Sequence, residues 1–253
     1  MLLIPAIDLK NGSCVRLRQG DFTNVTIFSE NPVSIAEKWF DQGARRLHLV
    51  DLDGALSGKP EHDIQIKKIL KKISKKVDVQ VGGGVRDLKT IESYLKSGAS
   101  YVVVGTAAIT NPSFLQEACI NFPGQIIVAL DTRDGMIATD GWSKNTGYSM
   151  MDISKEIENY GCASFIYTDI NRDGMLSGIN LKQASLLADN VRIPIYISGG
   201  IVNIQDIKTL CLLKSEKIKG AILGRSLYQG TLDFKQAQDF VWNFIKSNNS
   251  GDV

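Results

Sequence analysis

An alternation of short apolar runs with amphipathic segments limits the folds open to this chain more than any other feature. Eight strand-like runs rich in Val and Ile each precede a helix-like segment, a pattern typical of parallel βα units. We predict strands at about 2–7, 46–51, 77–81, 101–104, 126–131, 164–168, 194–198 and 219–223. We predict helices at 32–42, 62–75, 87–97, 112–121, 150–160, 180–188, 203–213 and 232–247. Because 253 residues suit one (β/α)8 barrel, we expect an α/β TIM barrel as a single domain over residues 1–253.

An internal repeat supports this architecture. The glycine run Gly82–Gly84 after one predicted strand returns as Gly199-Gly200 after another, and Gly105 returns as Gly224. We therefore predict two repeated (β/α)4 half-barrels, at about 1–123 and 124–253.

Composition excludes several classes of function. A net charge of +2 argues against nucleic acid or a membrane surface as partner. The four cysteines are far apart and form no CxxC pair, which argues against zinc and disulfides. No apolar run approaches the ~20 residues of a membrane span, and the first residues lack a signal-peptide pattern. We expect a cytoplasmic protein without an obligate protein partner.

Acidic residues end four of the predicted strands. They are Asp8, Asp51, Asp131 and Asp169, and we expect the side chains of Asp8, Asp131 and Asp169 to point into the barrel mouth, where barrel enzymes keep their active sites. By alternation, His48 should instead face the helix layer. With no well-placed histidine, proton transfer falls to carboxyl groups, one protonated and one ionised.

Glycine-rich turns follow the third, fourth, seventh and eighth predicted strands. Their backbone N–H groups, together with a helix N-terminus, suit an anion. The residues that we assign to these turns are Gly83, Gly84, Gly105 and Thr106 on one side, and Gly199, Gly200, Gly224, Arg225 and Ser226 on the other. Two such sites across one mouth predict a substrate with a phosphate at each end.

Two connections are long for βα loops, which usually take about 2–6 residues. Loop one runs from Leu9 to about Asn31 and carries Arg16 and Gly20, while loop five runs from Thr132 to about Ser149 and carries Trp142. We interpret both loops as lids.

Three residue types in and near these loops suit substrate binding. Arg16 and Arg86 are suited to hold a carboxamide or phosphate oxygen, and Trp142 to stack on a heteroaromatic ring. Gly174 lies in the polar loop after Asp169 and joins the candidate binding residues.

Motifs along nearly the whole chain resemble one known family. These motifs are Ile4–Leu9, Val15–Leu17, Gln19–Asp21, Leu47–Leu52, Gly82–Arg86, Gly141-Trp142, Thr168–Ile170 and Arg172–Gly174. Together they resemble the isomerase family of histidine biosynthesis, the phosphoribosylformimino-aminoimidazole-carboxamide ribotide (ProFAR) isomerases. The resemblance implies a (β/α)8 barrel that needs no cofactor or metal and acts on a small two-phosphate ribonucleotide.

The resemblance also implies the reaction, an Amadori rearrangement of an aminoaldose to an aminoketose. By the resemblance, Asp8 is the base, and either Asp131 or Asp169 is the acid. Two alternatives stay open: the cyclase subunit of the same pathway, and a barrel that binds phosphorylated ligands without catalysis. Val15–Leu17 in loop one and Gly141-Trp142 favour the isomerase.

Overall fold

The computed structural model describes residues 1–249 and contains twelve strands within them. In chain order these are β1 (Leu2–Lys10), β2 (Ser13–Arg18), β3 (Asp21–Ser29), β4 (Arg46–Asp51), β5 (Asp78–Gly82), β6 (Tyr101–Val104), β7 (Ile126–Arg133), β8 (Met136–Thr139), β9 (Lys144–Ser149), β10 (Ser164–Asp169), β11 (Ile195–Ser198) and β12 (Ile218–Leu223).

Eight of these strands form a closed parallel barrel. The order β10–β11–β12–β1–β4–β5–β6–β7 is completed by pairing of β7 with β10, in the register Asp131 to Thr168. Strand β1 pairs with β12 and with β4, where Ala6 lies beside His48. The predicted (β/α)8 fold is confirmed. The half-barrel repeat and its bounds stay predictions, and residues 250–253 of the predicted domain lie outside the described residues.

Eleven α-helices lie between and after the strands within residues 1–249. They are α1 (Pro32–Asp41), α2 (Leu52–Ser57), α3 (Asp63–Ile73), α4 (Leu88–Lys96), α5 (Thr106–Thr110), α6 (Pro112–Asn121), α7 (Met150–Ile157), α8 (Leu181–Asn190), α9 (Ile204–Leu212), α10 (Arg225–Gln229) and α11 (Phe234–Asn249). A 3-10 turn at Glu158–Tyr160 follows α7.

Local sequence explains where the longer helices begin. Asn31, Asp87, Asn111, Asn180 and Asn203 each accept a backbone N–H of the first turn, which satisfies a donor that the helix leaves open. These helices fall within a few residues of their predicted positions. The short helices α2, α5 and α10 were not predicted. None of the described helices is both long and apolar enough to span a bilayer.

Both long loops contain β-structure that the sequence prediction missed. In loop one, β2 pairs antiparallel with β1 and with β3. In loop five, β8 pairs antiparallel with β7 and with β9. Both loops therefore extend a barrel strand beyond the barrel as antiparallel β-structure.

Apolar side chains pack on both faces of the barrel sheet. Alternate residues such as Leu47 and Leu49 face the helices and are fully buried. The opposite set fills the barrel interior: Ile4, Ala6, Val103, Ile127, Ile166, Tyr196 and Ile222. All four cysteines are buried and free.

A charged side chain closes the N-terminal end of the barrel. The guanidinium of Arg46 lies 4.3 Å from the centre of the Tyr101 ring and 5.3 Å from that of Tyr196. It also donates a 3.1 Å hydrogen bond to the hydroxyl of Tyr196. Because Arg46 is only 8% exposed, this stack fills the floor beneath the apolar interior.

Candidate functional site

One cavity opens at the C-terminal ends of the barrel strands, where the sequence placed the site. Of the predicted site residues, those that line it are Asp8, Arg16, Gly20, Gly83, Gly84, Arg86, Gly105, Thr106, Asp131, Trp142, Gly174, Gly199, Gly200, Gly224 and Arg225. Two predicted site residues, Asp169 and Ser226, do not line the cavity.

Asp8 forms an ion pair with Arg16 at the end of β1. The Arg16 guanidinium contacts the Asp8 carboxylate and also donates to the carbonyl of Ala6. Burial opposes the charge of Arg16, but Asp8, Tyr228 and Cys14 outweigh it and hold the pKa of Arg16 above its usual value. Arg16 therefore stays cationic beside the carboxylate of Asp8.

Tyr228 supports this ion pair from below. Its ring lies 4.4 Å from the guanidinium carbon of Arg16, and its hydroxyl donates a 2.8 Å hydrogen bond to the carbonyl of Ala6. The indole of Trp39 donates to the same hydroxyl at 3.4 Å. A stacked and hydrogen-bonded Arg16 has few rotamers, so the carboxylate of Asp8 is held in one place.

Asp131 lies at the end of β7 in the same cavity. Burial raises the pKa of its carboxyl group, and hydrogen bonds from Trp142 and Thr168 act in the opposite direction. Thr168, which was not among the predicted site residues, faces the cavity from the neighbouring strand β10.

Asp173 is the third carboxyl group in the cavity and was not among the predicted site residues. It lies in the loop after β10, where its carbonyl accepts a 3.0 Å hydrogen bond from the backbone of Gln19. Burial, together with the charges of Asp8 and Asp131, raises the pKa of Asp173 to about 7 although Arg16 and Arg225 oppose this. Asp173 is therefore partly protonated near neutral pH.

The prediction that Asp169 points into the mouth is wrong. Its carboxylate turns away from the cavity, accepts 2.7 Å and 3.0 Å hydrogen bonds from the Asn180 amide and the Asn171 backbone, and lies 3.7 Å from Arg172. Because strand side chains alternate between the two faces, Thr168 takes the inward position and Asp169 the outward one. Asp169 ties a strand end to its loop.

Asp51 at the end of β4 behaves in the same way. It is fully buried and accepts 2.7 Å hydrogen bonds from the backbone N–H groups of Gly54, Glu61 and His62. It too points outward and shapes the loop.

The prediction that His48 faces the helix layer is also wrong. His48 lines the cavity, and its Nδ1 lies 2.9 Å from the side-chain nitrogen of Gln80. Burial lowers the pKa of His48 to about 4; Asp8 acts against this and Arg16 adds to it. The imidazole is therefore neutral at pH 7.

The glycine-rich turns flank the cavity on two sides. Gly83 and Gly200 have φ of +95° and +85°, a region that only glycine adopts easily. A Cβ at Gly83 would overlap the carbonyl of Asp51, and one at Gly200 would overlap the carbonyl of Gly178. The turns therefore need glycine at these positions, whatever they bind.

Ser226 was predicted among the phosphate-binding residues, but its side chain does not reach the cavity. It is fully buried at the start of α10, and its hydroxyl has no partner among the described residues. Of the predicted residues in this turn, Gly224 and Arg225 line the cavity and Ser226 does not.

The two lids meet over the cavity. Gly20 of loop one lies against the indole of Trp142 in loop five, so closely that a Cβ at Gly20 would overlap the ring. Next to Trp142, Asp140 pairs with Arg86 at 2.8 Å, and its backbone N–H donates to the Thr106 hydroxyl at 2.8 Å. The predicted lids therefore lie over the mouth and contact one another.

Comparisons with known proteins agree on one relationship. The family model described as histidine biosynthesis protein matches residues 2–233. A protein of Bordetella avium (strain 197N) is 61% identical over 238 residues, covering 94% of this chain and 97% of that protein. A protein of Polaromonas naphthalenivorans (strain CJ2) is 57% identical over 239 residues, with the same shares covered. Both carry the name 1-(5-phosphoribosyl)-5-((5-phosphoribosylamino)methylideneamino) imidazole-4-carboxamide isomerase.

Proposed function

The chain belongs to the family of histidine biosynthesis proteins, and from this we propose that it is the isomerase that opens the ribosylamine ring of the substrate named in its relatives. The reaction is an Amadori rearrangement, from an aminoaldose to an aminoketose. The names of the relatives favour this isomerase over the cyclase of the same pathway and over a barrel without catalysis.

One structural observation supports the proposal. Asp8, Asp131 and Asp173 converge on a single cavity that two glycine-rich turn sets flank. A rearrangement that moves protons between carbon, oxygen and nitrogen needs one group to donate a proton and another to remove one. Carboxyl groups with different environments meet that need.

Asp8 is the base of the proposed mechanism. Its carboxylate pairs with the guanidinium of Arg16, and the ring of Tyr228 fixes the pair. After the sugar ring opens to a protonated Schiff base, Asp8 removes the proton at C2. The resulting enolamine gains a proton at C1, loses one from the C2 hydroxyl, and becomes the ketose.

Asp173 is the acid in this proposal, and Asp131 orients the substrate. A general acid works best with a pKa near the working pH, and that of Asp173 is about 7. It can give its proton to the ring oxygen as the C1–O bond breaks. Asp131 lines the cavity together with Trp142 and Thr168, which suits a carboxyl group that positions sugar hydroxyls.

The substrate that we propose carries a phosphate at each end. The paired turns support this, since each offers backbone N–H groups beside an arginine: Arg86 on one side and Arg225 on the other. We place the reaction in the cytosol, which agrees with four free cysteines.

The decisive experiment supplies the aminoaldose to the purified protein without ammonia and follows its absorbance. We expect full conversion to the aminoketose, and no further product when ammonia is added, since only the cyclase uses ammonia. Turnover should fall above a pH of about 7, because Asp173 then loses its proton, and Asp173→Asn should abolish this dependence along with most activity. A protein that binds the aminoaldose but leaves it unchanged would contradict the proposal.

A further inference from the structure

A buried amide lies against the cavity-facing imidazole. Gln80 and His48 are direct neighbours on β5 and β4, and both side chains lie on the inner face of the barrel. Gln80 is fully buried, whereas His48 reaches the cavity. Their 2.9 Å contact joins the Gln80 nitrogen to Nδ1 of His48.

The floor of the barrel explains the orientation of this amide. Arg46 lies two residues before His48 on the same face of β4, so its guanidinium, which lies 3.7 Å from the half-exposed Asp78 carboxylate, is on the floor side of the pair. A guanidinium attracts the carbonyl end of an amide and repels the N–H end. Both the Nε of Arg46 and the carbonyl oxygen of Gln80 are buried without a partner among the described residues, whereas the Gln80 nitrogen meets His48.

This contact determines where the imidazole carries its proton. An amide nitrogen only donates, so Nδ1 must accept and the single proton of the neutral ring resides on Nε2. Nε2 has no hydrogen-bond partner within residues 1–249 and belongs to a side chain that lines the cavity. His48 therefore offers one N–H group to a ligand.

We propose that His48 is a catalytic residue that donates a hydrogen bond from Nε2 to the C2 oxygen of the substrate, and that Gln80 is a positioning residue that fixes its tautomer. The inference rests on the proposed function, because Asp8 acts on the C2 carbon there. His48 lies on the strand next to Asp8, beside Ala6, so its N–H approaches the same carbon from below.

The change at the C2 oxygen during the reaction explains why a hydrogen-bond donor is needed there. The C2 oxygen starts as a hydroxyl and ends as the carbonyl oxygen of the aminoketose, which can only accept hydrogen bonds. A donor fixed beside it stabilises the transition towards the ketone more than the starting alcohol. A cationic imidazole would serve less well, since it would compete with Arg16 for the carboxylate of Asp8 and hinder proton removal.

Nuclear magnetic resonance can read the tautomer without any turnover. The chain has two histidines, so nitrogen-15 labelling of histidine gives two pairs of ring-nitrogen signals, and His48→Gln assigns them. At pH 7 we expect His48 as the neutral Nε2–H tautomer. Gln80→Glu, whose carboxylate accepts from Nδ1–H, should reverse the tautomer, and Gln80→Leu should leave it mixed. A wild-type ring protonated on Nδ1, or on both nitrogens, would overturn the inference.

Kinetics test the donor itself. His48→Phe should lower kcat about 10²-fold, the usual effect of removing one such donor. His48→Gln should recover most of this loss, because its amide nitrogen reaches the position of Nε2. Gln80→Glu should lower kcat with little change in KM. The control is His62→Gln, since His62 pairs with Asp53 at 2.7 Å outside the cavity lining, and its kcat should stay unchanged.

The outcomes separate this inference from the proposed function. If the wild type converts the aminoaldose and folded His48→Phe stays within about twofold of it, the donor role fails while the isomerase stands; about twofold is below the loss expected for such a donor. If the wild type does not convert the aminoaldose, the proposed function fails, and the tautomer measurement still decides the role of Gln80.

Discussion

Replacing Asp173 by Asn should stabilise the folded protein while it removes activity. The pKa of the Asp173 carboxyl group rises from 3.8 to about 7 on folding. Between these values the folded state keeps a proton that the unfolded chain has lost, so the free energy of unfolding falls as pH rises through this window. An amide does not titrate, and the variant avoids this loss.

The size of the effect follows from the pKa difference. Each pKa unit corresponds to about 1.4 kcal/mol, so a rise from 3.8 to about 7 costs up to about 4 kcal/mol above pH 7. Asp173 is partly exposed to the cavity, where solvent screens its charge, so we take about half of this. The variant should therefore be about 2 kcal/mol more stable than the wild type at pH 8, and gain less than half as much at pH 5.

Urea unfolding followed by circular dichroism at both pH values measures this difference. The matched control is Asp239→Asn on the exposed side of α11. This substitution should change the free energy of unfolding very little, and by the same amount at both pH values. An Asp173→Asn protein that is no more stable than the wild type at pH 8, or whose gain is the same at pH 5, would refute the assignment of a proton-holding carboxyl group to this site.

Further predictions concern the base, the lids, the support of Arg16 and the two turns. Asp8→Asn should lower turnover by about 10²–10⁴-fold while calorimetry still detects ligand binding; rapid turnover would remove Asp8 as the base. Trp142→Ala should raise KM, with a stacking loss of about 0.5–1.5 kcal/mol, and unchanged kinetics would limit the indole to packing. Tyr228→Leu should cost about 1–3 kcal/mol of stability and lower kcat, whereas Tyr228→Phe, which keeps the ring under Arg16, should keep most activity. A ligand with one phosphate should bind more weakly than one with two, and equal affinities would contradict the paired phosphate sites.

The sequence predicted the barrel because its signals are local. Each of these signals determines the structure of only a few neighbouring residues. They are the Val- and Ile-rich runs, the Asn and Asp caps, and the glycines at strand ends. The eight barrel strands and the capped helices accordingly fall close to their predicted positions.

The direction of side chains at the strand ends was harder to predict. In a parallel barrel both faces of a strand are buried, so Leu47 and Leu49 look as suited to the interior as to the helix layer. That ambiguity reversed the assignments of His48 and Asp169. The strand register resolves it, since Thr168 lies beside Asp131 and His48 beside Ala6, but register depends on contacts between distant parts of the chain.

The role of Asp173 was not predicted from the sequence, for a related reason. Its pKa depends on Asp8 and Asp131, which the fold brings to it from other strands. A polar loop residue between Arg172 and Gly174 gives no local sign of such surroundings.

The stack of Arg46 between Tyr101 and Tyr196 leaves the barrel with one open end. Whatever enters through the mouth must leave through it, so product departs along the path by which the next substrate arrives. The Gly20–Trp142 contact lies across that path and serves entry and exit alike. A change that loosens this contact should therefore speed both association and release. Because the base of the barrel is closed, there is no second route that would let one rate change without the other.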